Sequence, residues 1–451
     1  MTSILVRKQM LHAEVGKQMI TKLARIAEVA KTKPNERFTS LVHLLNKQGL
    51  KDCYLELPAG KAAGIDKQTK EKYGMNLEAN LEDLVARMKR QAYKPQASRR
   101  TYIPKDEKSV RPLGIPAFED KIVQKAMSRI LNAIYEQKFK GFSYGFRPGR
   151  NQHQALQDLD KHIMHPACRY VVDADIKGFF NHVDHDWLMK FLEHDIADPN
   201  FLRLIRRFLK AGIMEDGKFE ATREGTPQGG VISPILANVY LHYVLDLWFD
   251  VYVKRKACKG KAEITRFADD FVCCFERKDD ADLFYAELQQ RLKKFNLSVA
   301  EEKTKIIRFG RGAENGGDGK PGTFDFLGFR HYWGKGKNGK HRLKRKTSPK
   351  KFQMRMRDFT AWIRKNRHMP EPELVESIRR KLQGHYQYYG VSDNFDGINA
   401  YFREVLHLTR KWRNRRSQKK SFTIEKFNMF LARNPLPKPR IMVNLYASKR
   451  L

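Results

Sequence analysis

The chain has 451 residues, and 41% of them are hydrophobic, enough to build about three packed domains. Its 88 Lys and Arg residues outnumber 51 Asp and Glu residues, which gives a formal charge of +37 and a pI near 10.0. Such an excess is typical of proteins that bind polyanions. Residues 331–451 hold 31 basic and 8 acidic residues, so +23 of the charge lies there. We therefore expect most nonspecific nucleic-acid affinity in this region, with a steep dependence on salt.

Cysteine usage and hydropathy exclude several other classes. The five cysteines form no CxxC pair, so a zinc module is not supported. Cys273 and Cys274 lie in an apolar run, where small buried hydrophobes are expected in preference to a redox pair. The chain has no long apolar run and no signal-peptide pattern at residues 1–10. We expect a soluble, cytoplasmic protein without membrane contact.

The N-terminal part, residues 1–95, is predicted to be helical. Apolar periodicity indicates helices over residues 4–33, 37–50 and 80–90, with Leu41, Leu44 and Leu45 on one stripe. A break is expected at residues 60–66. Basic residues occur along these helices, and they fit either an RNA-docking extension or an ordinary solvated face of a scaffold.

Two acidic residues alternate with apolar ones in the segment 170–180. Strand geometry puts Asp173 and Asp175 on one face, whereas Val172, Ala174 and Ile176 point to the other. A carboxylate pair on one strand is half of what two-metal nucleotidyl transfer requires.

A second acidic pair, Asp269 and Asp270, is predicted at the tip of a hairpin. Apolar runs at residues 263–267 and 271–275 flank it. Adjacent carboxylates repel each other, so a pair at this position suggests a divalent metal, although an acidic turn in solvent is the alternative for such a pair alone. Two-metal catalysis needs carboxylates from separate strands, because the ions lie about 3.5–4 Å apart. The strand acid and the hairpin acids together meet this requirement.

Five further segments occur in the order found in reverse transcriptases encoded by group II introns, and from about residue 64 onward the chain resembles that family. The segments are 102–105 with 111–116, 142–148, 226–234 and 326–329, around the acids at 175 and 269–270. One departure is Phe267, where the family usually has Tyr; a modest change in fidelity or rate is expected. The absence of cysteine pairs suggests the form without an HNH endonuclease domain.

The resemblance implies an α+β fold of the right-hand polymerase type. Residues 96–330 are expected to form fingers and palm around a mixed sheet, and residues 331–412 a helical thumb, the maturase X domain. Helical patterns at 352–363, 374–382 and 398–405 agree with that thumb. A glycine-rich loop is expected at 310–322, a strand at 324–329 and a basic linker at 335–346. Residues 413–451 resemble a basic DNA-binding tail, with a solvated basic face as the alternative.

The resemblance also implies a metal site. Asp175, Asp269 and Asp270 are expected to be catalytic and to bind two Mg²⁺ ions, with Mn²⁺ as a possible substitute. The backbone carbonyl of Ile176 is expected to be a further ligand. Asp173 is expected to support these ligands rather than bind metal itself.

A second group of residues is implied at the incoming nucleotide. Lys105 and Arg111 are expected on the triphosphate. Phe180 is expected to exclude a 2′-hydroxyl and thereby favour DNA synthesis, with Phe179 as the alternative wall. Gln228 is expected beside the nascent base pair, in a loop whose glycines allow close approach. Lys303 is either a general acid near the triphosphate or a surface lysine.

The function implied is RNA-directed DNA polymerisation combined with RNA binding as a maturase in intron splicing and mobility. Its partners would be template and intron RNA, a DNA primer or target, and dNTPs, with the oligomeric state left open. One alternative is a host-adopted reverse transcriptase in antiviral defence or CRISPR adaptation. Another is a non-enzymatic splicing cofactor, which the intact acids disfavour. Phe180 disfavours an RNA-dependent RNA polymerase.

Overall fold

A computed structural model describes residues 21–104, 109–222, 224–226, 228–310, 322–336, 339–415 and 422–446. The predicted α+β class is confirmed, because helices and largely antiparallel sheets share the fold. The helices are α1 (21–32), α2 (Lys47–Glu56), α3 (Lys70–Gly74), α4 (Leu77–Lys89), α5 (Phe118–Tyr135), α6 (Gln152–Met164), α7 (His185–Asp195), α8 (Pro199–Leu209), α9 (Ser233–Leu241), α10 (Lys278–Lys294), α11 (Pro349–Asn366), α12 (Glu371–Tyr389), α13 (Phe395–Asn414) and α14 (Ile424–Arg433). The strands are β1 (Ser98–Pro104), β2 (Val110–Ile115), β3 (Tyr170–Asp175), β4 (Ile213–Glu215), β5 (Lys218–Glu220), β6 (Ala262–Phe267), β7 (Asp270–Phe275), β8 (Lys305–Arg308), β9 (Phe324–Phe326), β10 (Phe329–Lys335) and β11 (His341–Thr347).

Helix α1 confirms the described part of the helix predicted over 4–33, whose residues 4–20 lie outside the described range, and α3 was not predicted. The predicted helix over 37–50 is wrong, because the Asp198 carboxylate accepts hydrogen bonds from the amides of Leu41 and Val42 at 2.7 and 2.8 Å. Only a short 3-10 turn forms there. Helix α2 starts later, after Asn46 caps it by accepting from the Gly49 amide. The leucine stripe is nevertheless buried, and the helix predicted over 80–90 is confirmed as α4.

A four-stranded antiparallel sheet in the order β6-β7-β3-β8 carries the acidic motifs. Successive residues of a strand point to opposite faces, yet Cys273 and Cys274 of β7 are both buried. They belong to two different apolar clusters, so both faces of the sheet are covered. The predicted role of the cysteines as small buried hydrophobes is confirmed.

Two further sheets are present, one of four strands and one of three. The order β2-β1-β4-β5 forms one sheet and β11-β10-β9 the other. The predicted basic linker at 335–346 is wrong, because its residues belong largely to β10 and β11. The expected continuous strand over 324–329 is instead a hairpin whose turn, Leu327–Gly328, has positive φ at both residues. The proposed domain boundary between residues 330 and 331 falls inside β10, and the domain division stays a prediction.

The three predicted C-terminal helices are confirmed as α11, α12 and α13. The chain then returns across them. Phe427 and Phe430 of α14 pack on Val375 of α12, and Val443 pairs with Val391. The described part of the predicted tail is therefore packed on the helical bundle. No helix in the described ranges combines the length and apolar character needed to cross a lipid bilayer.

Candidate active site

The strand and hairpin that carry the acids lie side by side. Strand β3 pairs with β7 so that Asp175 lies opposite Asp270, and β6 closes the hairpin by pairing Phe267 with Asp270. Asp269 occupies the turn, after Ala268 with φ of 59°. Residues paired across antiparallel strands share a face of the sheet. The register therefore brings together the three acids that the sequence singles out.

Arg266 lies in one of the segments predicted to be apolar, and its side chain holds this turn in place. Its guanidinium is fully buried and makes two hydrogen bonds to Asp246, at 2.7 and 2.6 Å. It also donates to the Ala268 carbonyl at 2.8 Å and to Asn238 at 3.2 Å. A buried bidentate pair fixes position as well as charge. In the sequence, an arginine within an otherwise apolar predicted strand is the feature that indicates such a buried ion pair.

The segment 142–146 supports the hairpin from its other side. Arg266 donates its backbone amide to the Phe142 carbonyl, and its own carbonyl accepts from the Tyr144 amide, both at 2.9 Å. The Gly145 carbonyl accepts from the Asn238 side chain at 2.7 Å. A Cβ on Gly145 would collide with the backbone nitrogen of Ala268. Glycine is required here because two backbones come into contact.

The acids repel one another in a partly buried site. The pKa of Asp270 is raised well above its ordinary value, first by burial and then by Asp173, Asp175 and Asp269. Burial also raises the pKa of Asp269, as does Asp175, while Arg111 opposes that rise. The pKa of Asp173 reaches about 7 because of burial, then Asp325 and Asp175. Nearby positive charge would remove this penalty.

Lys303 supplies such a charge. Its Nζ donates to Asp175 Oδ2 at 2.6 Å, and this hydrogen bond is the largest contribution to its raised pKa. Among the described residues, no three His, Cys, Asp or Glu side chains are gathered as a preformed metal-binding group. The ammonium nevertheless occupies the place of a cation beside hard oxygen donors, the ligands that divalent ions such as Mg²⁺ take. Asp175 and the hairpin acids would therefore hold a divalent metal once Lys303 had moved away from Asp175.

The Ile176 carbonyl lies next to these acids and outside the local backbone pairing. Ile176 forms an isolated bridge with Val299, and its two hydrogen bonds join Lys177 to Ser298 and Ala300 to Asp175. The role of the Ile176 carbonyl as a metal ligand stays a prediction.

Phe180 lies on the surface side of the site. Phe179 is buried in the core, whereas Phe180 is half-buried and contacts Phe146 edge to face, with ring centroids 6.3 Å apart. The Phe180 carbonyl accepts from the Thr226 amide at 2.8 Å. Gly225 has φ of 85°, and a Cβ there would strike the Phe180 carbonyl. Of the two residues predicted to exclude the 2′-hydroxyl, Phe180 is the one whose side chain is partly exposed.

The glycine loop contacts a strand rather than open space. The Gln228 carbonyl accepts from the Gly114 amide of β2 at 2.6 Å. Gly229 has φ of 109°, and a Cβ there would lie 2.7 Å from the Gly114 carbonyl. The glycines were predicted to let the backbone approach a base pair. Gly229 instead lies against the backbone of β2. Arg111 on the same strand is exposed and close enough to lower the pKa of Asp269. Lys105 lies outside the described residues.

The first turn of α11 brings a third element to the acids. Burial lowers the pKa of Lys351, and so do the charges of Arg355, Lys350 and Arg111, while Asp270 opposes them. Lys351 also lies against Gly328, where a Cβ would be 3.7 Å from its side chain. Strand β2, the acidic hairpin and helix α11 therefore come together at the acids.

Comparison with known proteins identifies the family of the chain. The family model described as "Reverse transcriptase (RNA-dependent DNA polymerase)" matches residues 103–331, half of the chain. The chain belongs to the reverse transcriptase family. Members of this family use divalent metal ions, and the mixed helices and sheets fit their right-hand polymerase-like fold.

Individual relatives of this reverse transcriptase confirm the resemblance seen in its motifs. "Group II intron-encoded protein LtrA" of Lactococcus lactis is 34% identical over 63% of this chain and 45% of its own length. "Protein YkfC" of Escherichia coli is 35% identical over 54% of this chain and 64% of its own. "Nuclear intron maturase 1, mitochondrial" of Arabidopsis thaliana is 32% identical over 21% of this chain and 13% of its own. The chain spans about half the length of the curated relatives it matches first.

Proposed function

We propose that this chain is an RNA-directed DNA polymerase of the group II intron type, which extends a primer 3′-hydroxyl on an RNA template. The observation that carries the proposal is the register of β3 on β7, which sets Asp175 opposite Asp270, with Asp269 in the adjoining turn. The substrates are RNA template, DNA primer or target, and dNTPs, and the predicted cytoplasmic location stays a prediction.

Asp175, Asp269 and Asp270 are proposed to bind two Mg²⁺ ions, with Mn²⁺ as a substitute and the Ile176 carbonyl as a further ligand. When bound, the ions would lower the pKa of the attacking hydroxyl and stabilise the charge on the leaving pyrophosphate. Mutual repulsion of the acids supports this proposal, because it disappears once cations are bound.

The remaining residues act on the nucleotide. Arg111 extends from β2 toward the acids, so its guanidinium can bind the triphosphate, with Lys105 proposed beside it. Lys303, released from Asp175 by a metal ion, is proposed to donate a proton to the pyrophosphate. Phe180 is proposed to contact the sugar, and the loop of Gln228 is proposed to lie beside the nascent base pair.

Primer extension on an RNA template tests the proposal. Asp269→Asn and Asp270→Asn remove charge without changing shape, and each is expected to abolish extension while thermal unfolding stays close to wild type. Asp282→Asn is the matched control, since Asp282 is an exposed acid on α10 that pairs with Lys278. Full extension by either hairpin variant would refute the assignment.

We further propose that the chain acts as a maturase and helps its parent intron RNA to splice. The named intron-encoded protein and intron maturase among its relatives support this role, as does the basic charge of residues 331–451. Splicing of the intron RNA from the chain's own genomic locus would be measured at low Mg²⁺. Stimulation by the Asp269→Asn variant would separate RNA binding from polymerisation, and no stimulation by wild-type protein would refute the maturase role.

A further inference from the structure

A cavity of about 250 Å³ lies between α11, α12 and α13, and none of the three acids lines it. Arg355, Arg380 and Lys381 line it, with Asp358 as the acid among its lining residues. Three positive charges against one negative charge favour an anionic ligand. Pockets that bury drug-sized ligands measure about 300–1,000 Å³, so this smaller cavity suits part of one nucleotide and excludes a duplex.

Aromatic rings form the inner surface of this cavity. His385 stacks on Tyr401 with ring centroids 3.6 Å apart and planes within 7°, and Tyr388 lies at the same cavity. His385 is only 6% exposed, and its Nε2 has no hydrogen-bond partner. A buried ring nitrogen without a partner is costly unless a ligand completes it. Flat aromatic surfaces beside cations are how proteins bind unpaired bases.

Gly384 keeps the cavity open. It lies inside α12, and a Cβ added to it would have no atom within 4 Å. Its φ is not in the left-handed region. Neither close packing nor backbone conformation therefore requires glycine, which destabilises a helix interior relative to alanine. A small residue at position 384 leaves the cavity open, whereas a large side chain would fill it.

The cavity is connected to the active site through one turn. The Tyr388 hydroxyl donates to the Leu327 carbonyl at 3.1 Å, and the Leu327 backbone also contacts the Asp270 carboxylate. A nucleic-acid strand that leaves the acids along α11 would pass Lys351 and then reach Arg355, one helical turn further on.

We propose that this cavity binds one unpaired nucleotide, with its base against Tyr388 and the unpaired His385 Nε2, and its phosphate at Arg355 and Arg380. The proposal rests on the proposed function only in taking nucleic acid as the natural source of that nucleotide. A free mononucleotide has the same chemistry, and the experiment separates the two sources.

The test uses the whole chain in EDTA without dNTPs, so that catalysis plays no part. A single-stranded DNA carrying 5-iododeoxyuridine is photocrosslinked, and crosslinked peptides are mapped by mass spectrometry. Wild type and Gly384→Ala are expected to crosslink at Tyr388 or Tyr401. Gly384→Leu, which fills the cavity from an exposed helix position, is expected to lose at least about 90% of that crosslink, since stacking of one base strengthens binding about tenfold or more. Lys381→Gln is expected to weaken it.

Competition with thymidine monophosphate distinguishes the sources. Loss of the crosslink at equal concentrations of monophosphate and DNA indicates a site for free nucleotides, and persistence indicates a site for a strand. An unchanged crosslink in Gly384→Leu with wild-type thermal unfolding, or no crosslink in α12 or α13 of wild type, would overturn the proposal. Primer extension measured in parallel reports on the polymerase separately, so either proposal can fail alone.

Discussion

Phe180 is the residue on which discrimination between deoxy- and ribonucleotides depends. Its ring is half-buried and contacts Phe146, whereas Phe179 is in the core. Phe180→Ala is expected to admit ribonucleotides, because a small side chain leaves room for the 2′-hydroxyl. The preference for dNTPs over rNTPs in single-nucleotide extension should fall at least about tenfold, within the 10–200-fold range that small steric differences support.

Phe146→Ala is the matched control for this change. It removes the ring that contacts Phe180 and leaves the proposed wall in place. Its sugar preference should stay within a few-fold of wild type. An unchanged preference in Phe180→Ala would show that another residue excludes the 2′-hydroxyl.

Asp173 makes stability depend on pH in the metal-free protein. Its pKa is raised to about 7 by burial, then by Asp325 and Asp175. The folded chain therefore keeps a proton that the unfolded chain loses near its ordinary pKa, so stability falls as pH rises toward 7. Asp173→Asn removes this penalty. In EDTA, the variant's stability relative to wild type should rise by about 1–3 kcal/mol between pH 5 and pH 8.

Urea unfolding at several pH values measures this effect. Mg²⁺ should flatten the wild-type profile, because bound cations hold the acids ionised in the folded state. Parallel pH profiles of variant and wild type in EDTA would mean that Asp173 titrates normally.

At the scale of elements, the buried ion pair Arg266–Asp246 joins β6 to the π-helical segment after α9. Removing one partner leaves an uncompensated buried charge, so Asp246→Ala should lower the free energy of unfolding by about 3–5 kcal/mol. The double variant Arg266→Met with Asp246→Leu should recover most of that loss. It should still extend primers poorly, because the Ala268 carbonyl has lost its donor.

Denaturant unfolding and primer extension on the same preparations separate these two roles of Arg266. A stable double variant with full extension would mean that the turn holds Asp269 without Arg266. If the double variant is no more stable than Asp246→Ala, the apolar pair fails to fill the space of the ion pair.

The segment around Gly145 is a backbone support for the acidic turn. Gly145→Ala places a Cβ against the Ala268 nitrogen and should displace Asp269. Extension is expected to fall about 100-fold, the effect of misplacing a catalytic group by about 1 Å. Gly141→Ala in the same connection is the control, since a Cβ there meets no atom within 4 Å. Equal activity of the two variants in primer extension would contradict this role.

These elements differ in how far sequence could predict them. The hairpin and its partner strand follow from period-two alternation around Asp175 and from the apolar runs beside Asp269. The pairing of Arg266 with Asp246 could not be predicted, because the partners are far apart in sequence and only the fold brings them together. Most of β11 falls in the predicted basic linker, because Arg345, which points inward, hides the alternation. Its buried guanidinium binds Asp160 on α6 at 2.8 Å.

At the scale of the whole molecule, acidic and basic side chains come together at the candidate active site. The acids lie near Arg111 of β2 and Lys351 of α11, and the cations Lys350 and Arg355 lie close to Lys351. With metal ions bound to the acids, this arrangement of cations would suit a polyanion whose reacting end lies at the acids. The basic C-terminal region therefore contributes to this site, since three of these four cations belong to residues 331–451.

Salt dependence tests whether these cations bind phosphates individually. Two triple variants each remove three positive charges, so their net charges are equal. The substitutions are Lys350→Gln, Lys351→Gln and Arg355→Gln in one variant, and Lys72→Gln, Lys256→Gln and Lys293→Gln at exposed sites in the other. Each lost phosphate contact lowers the slope of log K against log salt by about 0.7–0.9. The first variant should therefore lose about 2–3 from that slope in anisotropy titrations with a primer–template, and the second less than about 1. Equal losses would mean that net charge, rather than contact at α11, attracts the nucleic acid.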